Sequence, residues 1–340
     1  MNVQKSRGLA RTKHFMWNFL HTKAISISLV KRRSIKLKKF EGTFVVAVTP
    51  LTFNEKLDLE ALETNVEYYI ENGVHGVIVG GSTGEFASLS LQEHKKIIRS
   101  VVDKVDGRVP VIAGTGACST RRVIELTKYS EDVGADGCMI IPPFYTKPDE
   151  EELYKHFEKI AETVDLPVML YNNPWTSKVD MQPDFIAKLA EIDNIRYVKE
   201  SSGDITRVWK IINITEGKMT VFCGADNLAL ESFLMGAKGW ACVAANMFPK
   251  HTSRLYELAC KEKHIKEARS LYFQLLPLLN FLEETGKFIQ LSKAGVEMLG
   301  RKAGPPRKPL MPLKKDEKKK LKELIENIRS ISALARADTS

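Results

Sequence analysis

From residue 43 onward the chain alternates between two apolar patterns. One is a short unbroken run closed by turn residues: 44–48 before Thr49-Pro50, 74–79 before Gly80-Gly81, then 109–113, 137–141, 167–171, 195–199, 219–223 and 239–243. The other recurs at threes and fours, as in Leu59, Leu62, Val66, Tyr69 and Ile70, and it predicts further helices over 91–104, 119–133, 149–163, 182–190, 204–212 and 226–236. Unbroken runs suit parallel strands buried on both faces, and the wider spacing suits helices with one apolar stripe. Eight strands alternating with helices over about 200 residues predict an α/β fold, a (β/α)8 TIM barrel with additional C-terminal helices. A doubly wound open sheet competes with it, but no Gly-x-Gly-x-x-Gly turn follows the first run.

Outside the barrel, assigned to residues 41–248, the pattern changes. Residues 249–313 read as a helical region, with Leu271, Leu275, Leu278, Leu279 and Leu282 on one apolar face. Pro305, Pro306, Pro309 and Pro312 then make a rigid connector to a Lys-rich terminal helix and tail, 314–340, whose lysines 314–322 form a solvated face. Residues 1–40 hold 11 Lys and Arg and no acid, a basic extension expected to be disordered or a targeting segment. The formal net charge of +9 belongs to the ends, because residues 41–300 carry 28 basic and 37 acidic side chains. That distribution argues against a nucleic-acid groove along the body. Every apolar run is interrupted before it reaches membrane-spanning length, so no membrane partner is expected. Five widely spaced cysteines without a Cys-x-x-Cys pair indicate neither a disulfide framework nor a zinc site. The expected location is the cytoplasm, or the mitochondrial matrix if residues 1–40 are a transit peptide.

Barrel catalysts keep their chemistry at the C-terminal ends of the strands, which narrows the search to the residues closing each run. The sixth run ends Val198-Lys199-Glu200-Ser201-Ser202-Gly203-Asp204. Among apolar and small neighbours a lysine loses hydration, and desolvation disfavours an ammonium and frees the amine as a nucleophile. The fifth run ends at Tyr171, 28 residues earlier and one βα unit away, so adjacent strands would set Tyr171 and Lys199 side by side. A phenol beside an amine that attacks a carbonyl can move the protons that carbinolamine formation and dehydration require. After the second run, Gly80-Gly81-Ser82-Thr83-Gly84-Glu85 surrounds two hydroxyls with glycines and can grip a carboxylate through N–H and O–H groups. Pro142-Pro143 after the fourth run presents Tyr145 rigidly. Singly, each is as well explained by a solvated lysine, a core tyrosine or a tight turn; their coincidence at one mouth is what carries weight. No His/Asp/Glu cluster has metal-ligand spacing, and neither a metal nor a cofactor beyond a covalent imine on Lys199 is expected.

These residues carry a resemblance. Gly81-Ser82-Thr83-Gly84-Glu85, Tyr171-Asn172-x-Pro174 and Val198-Lys199-Glu200-x-x-Gly203-Asp204, with Pro143-Phe144-Tyr145 and Gly224-Ala225-Asp226, make residues 43–312 similar to the dihydrodipicolinate synthase/N-acetylneuraminate lyase family of class I, Schiff-base lyases. The resemblance implies that Lys199 forms an imine with a small 2-oxo acid and that Tyr171 relays protons. Ser82 and Thr83 would hold the substrate carboxylate, with Thr83 in the relay, and Gly84, Asn173, Thr176, Gly224 and Ala225 would complete the substrate contacts. Tyr145, expected with Lys199, Tyr171 and Thr83 to be catalytic, resembles a family tyrosine inserted across a subunit contact, which implies a homo-oligomer, a dimer or tetramer.

One position departs from the pattern. Dihydrodipicolinate synthases carry an arginine two residues after the proline of the tyrosine motif, and here that residue is Thr176. The Tyr171-Asn172-Asn173-Pro174 form and the tail Gly300-Arg301-Lys302-Ala303-Gly304-Pro305-Pro306-Arg307 look more like catabolic members of the family. The expectation is therefore aldol cleavage, dehydration or deamination of a 2-keto-3-deoxy sugar acid or related hydroxylated 2-oxo acid. The alternative is 4-hydroxy-tetrahydrodipicolinate synthase activity, joining pyruvate to aspartate semialdehyde. A third reading, of another class, is a non-catalytic oxo-acid-binding or interaction protein on the same barrel.

Overall fold

The computed structural model describes residues 39–337, with side chains to residue 330, and the compact unit begins at Lys39. Eight strands close into a parallel barrel in sequence order: β1 Gly42–Val46, β2 Gly76–Val79, β3 Val111–Gly114, β4 Gly137–Ile140, β5 Val168–Asn172, β6 Ile195–Glu200, β7 Thr220–Cys223 and β8 Gly239–Cys242. Ring closure is made by β1 against β8, with Gly42 opposite Gly239 and Phe44 opposite Ala241. The expected (β/α)8 barrel with further C-terminal helices is the fold observed.

Helices follow each strand: α1 Leu59–Glu71, α2 Leu91–Val105, α3 Thr120–Asp132, α4 Glu150–Ala161, α5 Pro183–Leu189, α6 Thr206–Ile214, α7 Ala229–Leu234 and α8 Pro249–Tyr256. Their starts are written in the sequence. Ser90 and Asp149 each accept from the third backbone N–H of their helix while Glu93 and Glu152 reach back, forming capping boxes on α2 and α4. The helix expected over 226–236 is broken into a 3-10 turn, Asp226–Leu228, and the short α7, because the Asp226 side chain turns inward. Three helices follow: α9 Ile265–Glu284, α10 Phe288–Met298 and α11 Lys315–Ala337. Leu321, Leu324, Ile325 and Ile328 of α11 are buried in the main core, while its lysines face solvent as expected.

Period-two alternation in the strands separates two cores. Outward residues such as Val45, Val77, Ala113 and Leu170 meet the helices, and inward ones (Phe44, Val46, Ile78, Ile112, Met169, Phe222) fill the barrel. Phe40, assigned from sequence to the N-terminal extension, belongs to this inner core. It is fully buried, its ring stacks on Tyr197 at 4.7 Å, and its N–H donates to the Tyr197 hydroxyl at 3.2 Å. Glycines make the room: a Cβ on Gly137 would sit 2.8 Å from Phe40, one on Gly76 2.2 Å from Phe44, and one on Gly239 2.3 Å from Phe222. The floor of the barrel is thus an aromatic plug, and the opposite end carries the polar strand ends.

Candidate active site

At that polar end lies a cavity of about 510 Å³ lined by Lys199, Tyr171, Ser82, Thr83, Asn173, Thr176, Gly224 and Ala225, all singled out from sequence, together with Ser201, Trp175, Asn227, Val243, Glu283, Glu284 and Phe288. Tyr171 and Lys199 are register partners across β5 and β6, so the spacing of one βα unit sets them abreast. Lys199 is 3% exposed, and its Nζ stands 4.2 Å from the centre of the Tyr171 ring. Among the described residues no carboxylate is within ion-pair distance of it. The ring face therefore provides its nearest electrostatic support, and the amine is open to an electrophile entering from above.

The loop after β5 fixes the tyrosine. Asn173 caps the single helical turn Pro174–Ser177 by accepting from the Thr176 N–H at 3.1 Å, and its amide donates to the Tyr171 hydroxyl at 3.0 Å. With one lone pair so engaged, the phenolic hydrogen is directed elsewhere and can be donated to a substrate. Asn173, expected as a substrate contact, is in addition what orients Tyr171. Trp175 lies over the rim, its indole N–H donating to the Ser202 carbonyl at 3.0 Å, which ties the β5 loop to the β6 loop.

Behind Lys199, Glu200 points away from the barrel interior and accepts from the Asn172 amide at 3.0 Å and the Ser202 N–H at 2.7 Å. Burial pushes its carboxyl upward, against the pull of those donors. Gly224 allows the approach of β7 to the site: a Cβ there would lie 1.9 Å from Ser201 Oγ and 2.8 Å from Lys199 Cγ. The Ser82 and Ser201 hydroxyls are buried without a hydrogen-bond partner among the described residues. Buried hydroxyls are seldom left so, and both face the cavity, where a carboxylate or carbonyl oxygen would complete them.

Two expected site residues are not brought to the cavity. Gly84, within the loop after β2, packs against the end of β1 instead: its carbonyl accepts from Thr49 Oγ1 at 2.7 Å, and a Cβ there would press on Ala47 and Thr49. Tyr145 is 89% exposed, since Pro142-Pro143 carries it outward past the rim. Glu283, Glu284 and Phe288 have no strand-end signature; they reach the mouth from the end of α9 and the start of α10. Ser201 lay within the lysine motif without a role. Thr176 lines the mouth as expected, and among the lining residues Lys199 is the single Lys or Arg.

The chain is matched over residues 39–328 by the family model described as the Dihydrodipicolinate synthetase family. It is 40% identical over 296 residues to the 4-hydroxy-tetrahydrodipicolinate synthase of Methanothrix thermoacetophila, covering 86% of this chain and 98% of that one. The enzyme of the same name from Methanocaldococcus jannaschii is 39% identical, with 85% and 99% covered. Among solved structures, a dihydrodipicolinate synthase from Acinetobacter baumannii complexed with pyruvate has a TM-score of 0.81 at 38% identity, covering 85% of this chain and 99% of that one. A prophage protein of the family from E. coli K12, also in complex with pyruvate, has a TM-score of 0.82 at 30% identity, with 86% and 99% covered.

Proposed function

The chain belongs to the dihydrodipicolinate synthetase family, and within it we propose that Lys199 forms the imine with pyruvate, with Tyr171 moving the protons. Enzymes of this family are class I, Schiff-base lyases, and the chain is an enzyme of that class. The observation that carries the assignment of roles is the pairing of Tyr171 with Lys199 across β5 and β6 in the cavity that Ser82 and Thr83 also line. The Lys199 amine attacks the ketone carbon and the carbonyl oxygen takes a proton, giving a carbinolamine. A second proton, delivered by the Tyr171 phenol, lets that oxygen leave as water and an iminium remain. Loss of a proton from the adjacent methyl group gives an enamine, whose carbon adds to an aldehyde; hydrolysis of the resulting iminium restores the amine. Ser82 and Thr83 would hold the carboxylate throughout. No metal or cofactor takes part in this scheme, so a chelator is expected to leave the rate unchanged.

For the second substrate, the names of the relatives favour condensation with aspartate semialdehyde over the cleavage, dehydration or deamination expected from the motifs. A hydroxylated 2-oxo acid is the second reading, supported by Thr176 at the position of the synthase arginine and by a lining in which Lys199 is the only Lys or Arg. A charge-assisted contact of the kind an arginine makes contributes about 2–3 kcal/mol, roughly thirty- to a hundredfold in affinity. The exposure of Tyr145 supports a homo-oligomer in which a neighbouring copy receives it. Among the described residues no helix is long and apolar enough to cross a membrane, and the cytoplasm is the proposed location.

Borohydride reduction in the presence of pyruvate is expected to convert Lys199 to its N-(1-carboxyethyl) derivative (pyruvic acid less water plus two hydrogens), and the absence of that adduct would overturn the mechanism. A panel of pyruvate plus aspartate semialdehyde against 2-keto-3-deoxygluconate, 2-keto-3-deoxyarabonate and pyrroline-4-hydroxy-2-carboxylate separates the two readings by which entrant turns over fastest. An adduct without turnover of any panel member would place the second substrate outside the panel and overturn both readings of it.

A further inference from the structure

The last turn of α9 places two carboxylates, Glu283 and Glu284, on the wall of the cavity that holds Lys199. Glu283 is fixed there. Its Oε1 accepts from the Asp226 backbone N–H at 2.7 Å, and Asp226 is itself immobile, its carboxylate receiving the Trp240 indole N–H at 2.9 Å and the Ala244 N–H at 2.7 Å. No partner for the second Glu283 oxygen is found among the described residues. Glu283 as a whole is exposed on the rim, with its Oε1 held against the wall by the Asp226 N–H. Lost hydration at the wall pushes the carboxyl up to about 7, with the Asp226 carboxyl adding to the effect and the Asp226 N–H and the Lys199 charge opposing it. A carboxylate so placed gains from any N–H or O–H donor brought beside it, and it repels a second anion, as does Glu284 next to it.

We propose that Glu283 is a specificity-determining residue that reads the second substrate, accepting a hydrogen bond from a hydroxyl or ammonium group near the reacting aldehyde carbon. The proposal rests on the imine reading of Lys199 but is indifferent to which of the two second substrates is used. The amino group of aspartate semialdehyde and the hydroxyls of a sugar-derived aldehyde are both donors. It supplies what Thr176 cannot, since a neutral hydroxyl at the mouth does not select for a charged or strongly donating group.

The test compares pyruvate condensation with aldehydes that differ in the donor: glyceraldehyde against propanal, and aspartate semialdehyde against succinate semialdehyde. The unmodified protein is expected to prefer the donor-bearing member of at least one pair by tenfold or more in kcat/KM. Glu283→Ala should bring that ratio within about threefold, the loss of a contact worth roughly tenfold, or about 1.4 kcal/mol. Glu283→Gln retains an oxygen for the Asp226 N–H and turns an N–H2 donor to the cavity, so it should lower the ratio while keeping the fold. Because each ratio is taken within one protein preparation, partial unfolding of a variant does not alter it. Unchanged ratios in both variants would overturn the proposal. If pyruvate is trapped on Lys199 but none of the four aldehydes condenses, the reading of Glu283 fails and the imine reading stands. Without trapping in the unmodified protein, both fail.

Discussion

Single side chains tune this molecule by what surrounds them. His94 and His156 are both buried, at 3% and 6% exposure; a His94 ring nitrogen lies 2.8 Å from the Gly114 carbonyl and a His156 ring nitrogen 2.8 Å from the Thr120 hydroxyl. Burial pushes each imidazole down to about 4. The unfolded chain therefore takes up these protons before the folded one does. The stabilisation is fully present above about pH 6.5 and is lost as pH falls towards 4, by up to about 3 kcal/mol per histidine. Chemical denaturation at pH 7 and at 4.5 should show that loss, and the His94→Gln, His156→Asn double variant should show a shallower one; equal slopes would refute it. At this scale the sequence exposed part of the site. Lys199 and Tyr171 were legible because strand-end position and one-unit spacing determine where a barrel side chain points. Glu283 was not, since it arrives from the last turn of a helix beyond the eight repeats. Tyr145 and Gly84 lay in the right motifs, but a strand end does not determine whether the following loop turns in or out.

Between elements, the segment after α10 acts as a clamp. Lys293 of α10 is 1% exposed and donates to Glu85 at 2.6 Å and to the Pro305 carbonyl at 2.8 Å. Glu85, in the left-handed region at φ 59°, also accepts from the Arg307 N–H at 2.7 Å. Arg307 goes on to grip Glu93 of α2 at 2.7 Å, and Arg301 stacks 4.0 Å over Tyr68 of α1. The tail motif read from sequence as a marker of substrate class is thus, in structure, what holds the Ser82-Thr83 loop against the barrel. Burial pushes the Lys293 ammonium down, with Glu85 opposing, so removing one partner strands a buried charge. Lys293→Met should cost about 3–5 kcal/mol by urea unfolding. It should also raise the pyruvate concentration needed for half-maximal trapping on Lys199, and an unaltered pyruvate dependence would mean the loop stands without the clamp. No sequence spacing announces this pair, because its members lie more than 200 residues apart.

Over the whole molecule, fold class was the most legible property. Eight unbroken apolar runs with seven helical patterns between them admit few arrangements, and the closed parallel barrel satisfies every one of them. What the pattern could not reveal was the plug. Phe40 sits among charged and basic neighbours in sequence, yet its ring fills the bottom of the barrel beside Tyr197 and Phe44. The Phe40→Ala variant should lose about 3–5 kcal/mol of stability, the range for deleting a buried aromatic ring, measured by the denaturation midpoint. A change under about 1 kcal/mol would indicate that the floor collapses into the gap.

The closure of β1 on β8 also has a consequence in time. Phe40 and β1 leave the ribosome before the other strands, but the strand that pairs with Gly42–Val45 on the far side, Gly239–Cys242, is made some 200 residues later. At about 5–20 residues per second, that is a wait of roughly 10–40 s. Throughout it, one edge of β1 lacks its mate and the Phe44 ring lacks the Phe222 ring that meets it at 5.3 Å. An unpaired apolar edge held open that long invites pairing with another nascent chain. Translation speed and chaperone supply, rather than the stability of the finished barrel, would then govern how much of this protein reaches its ring.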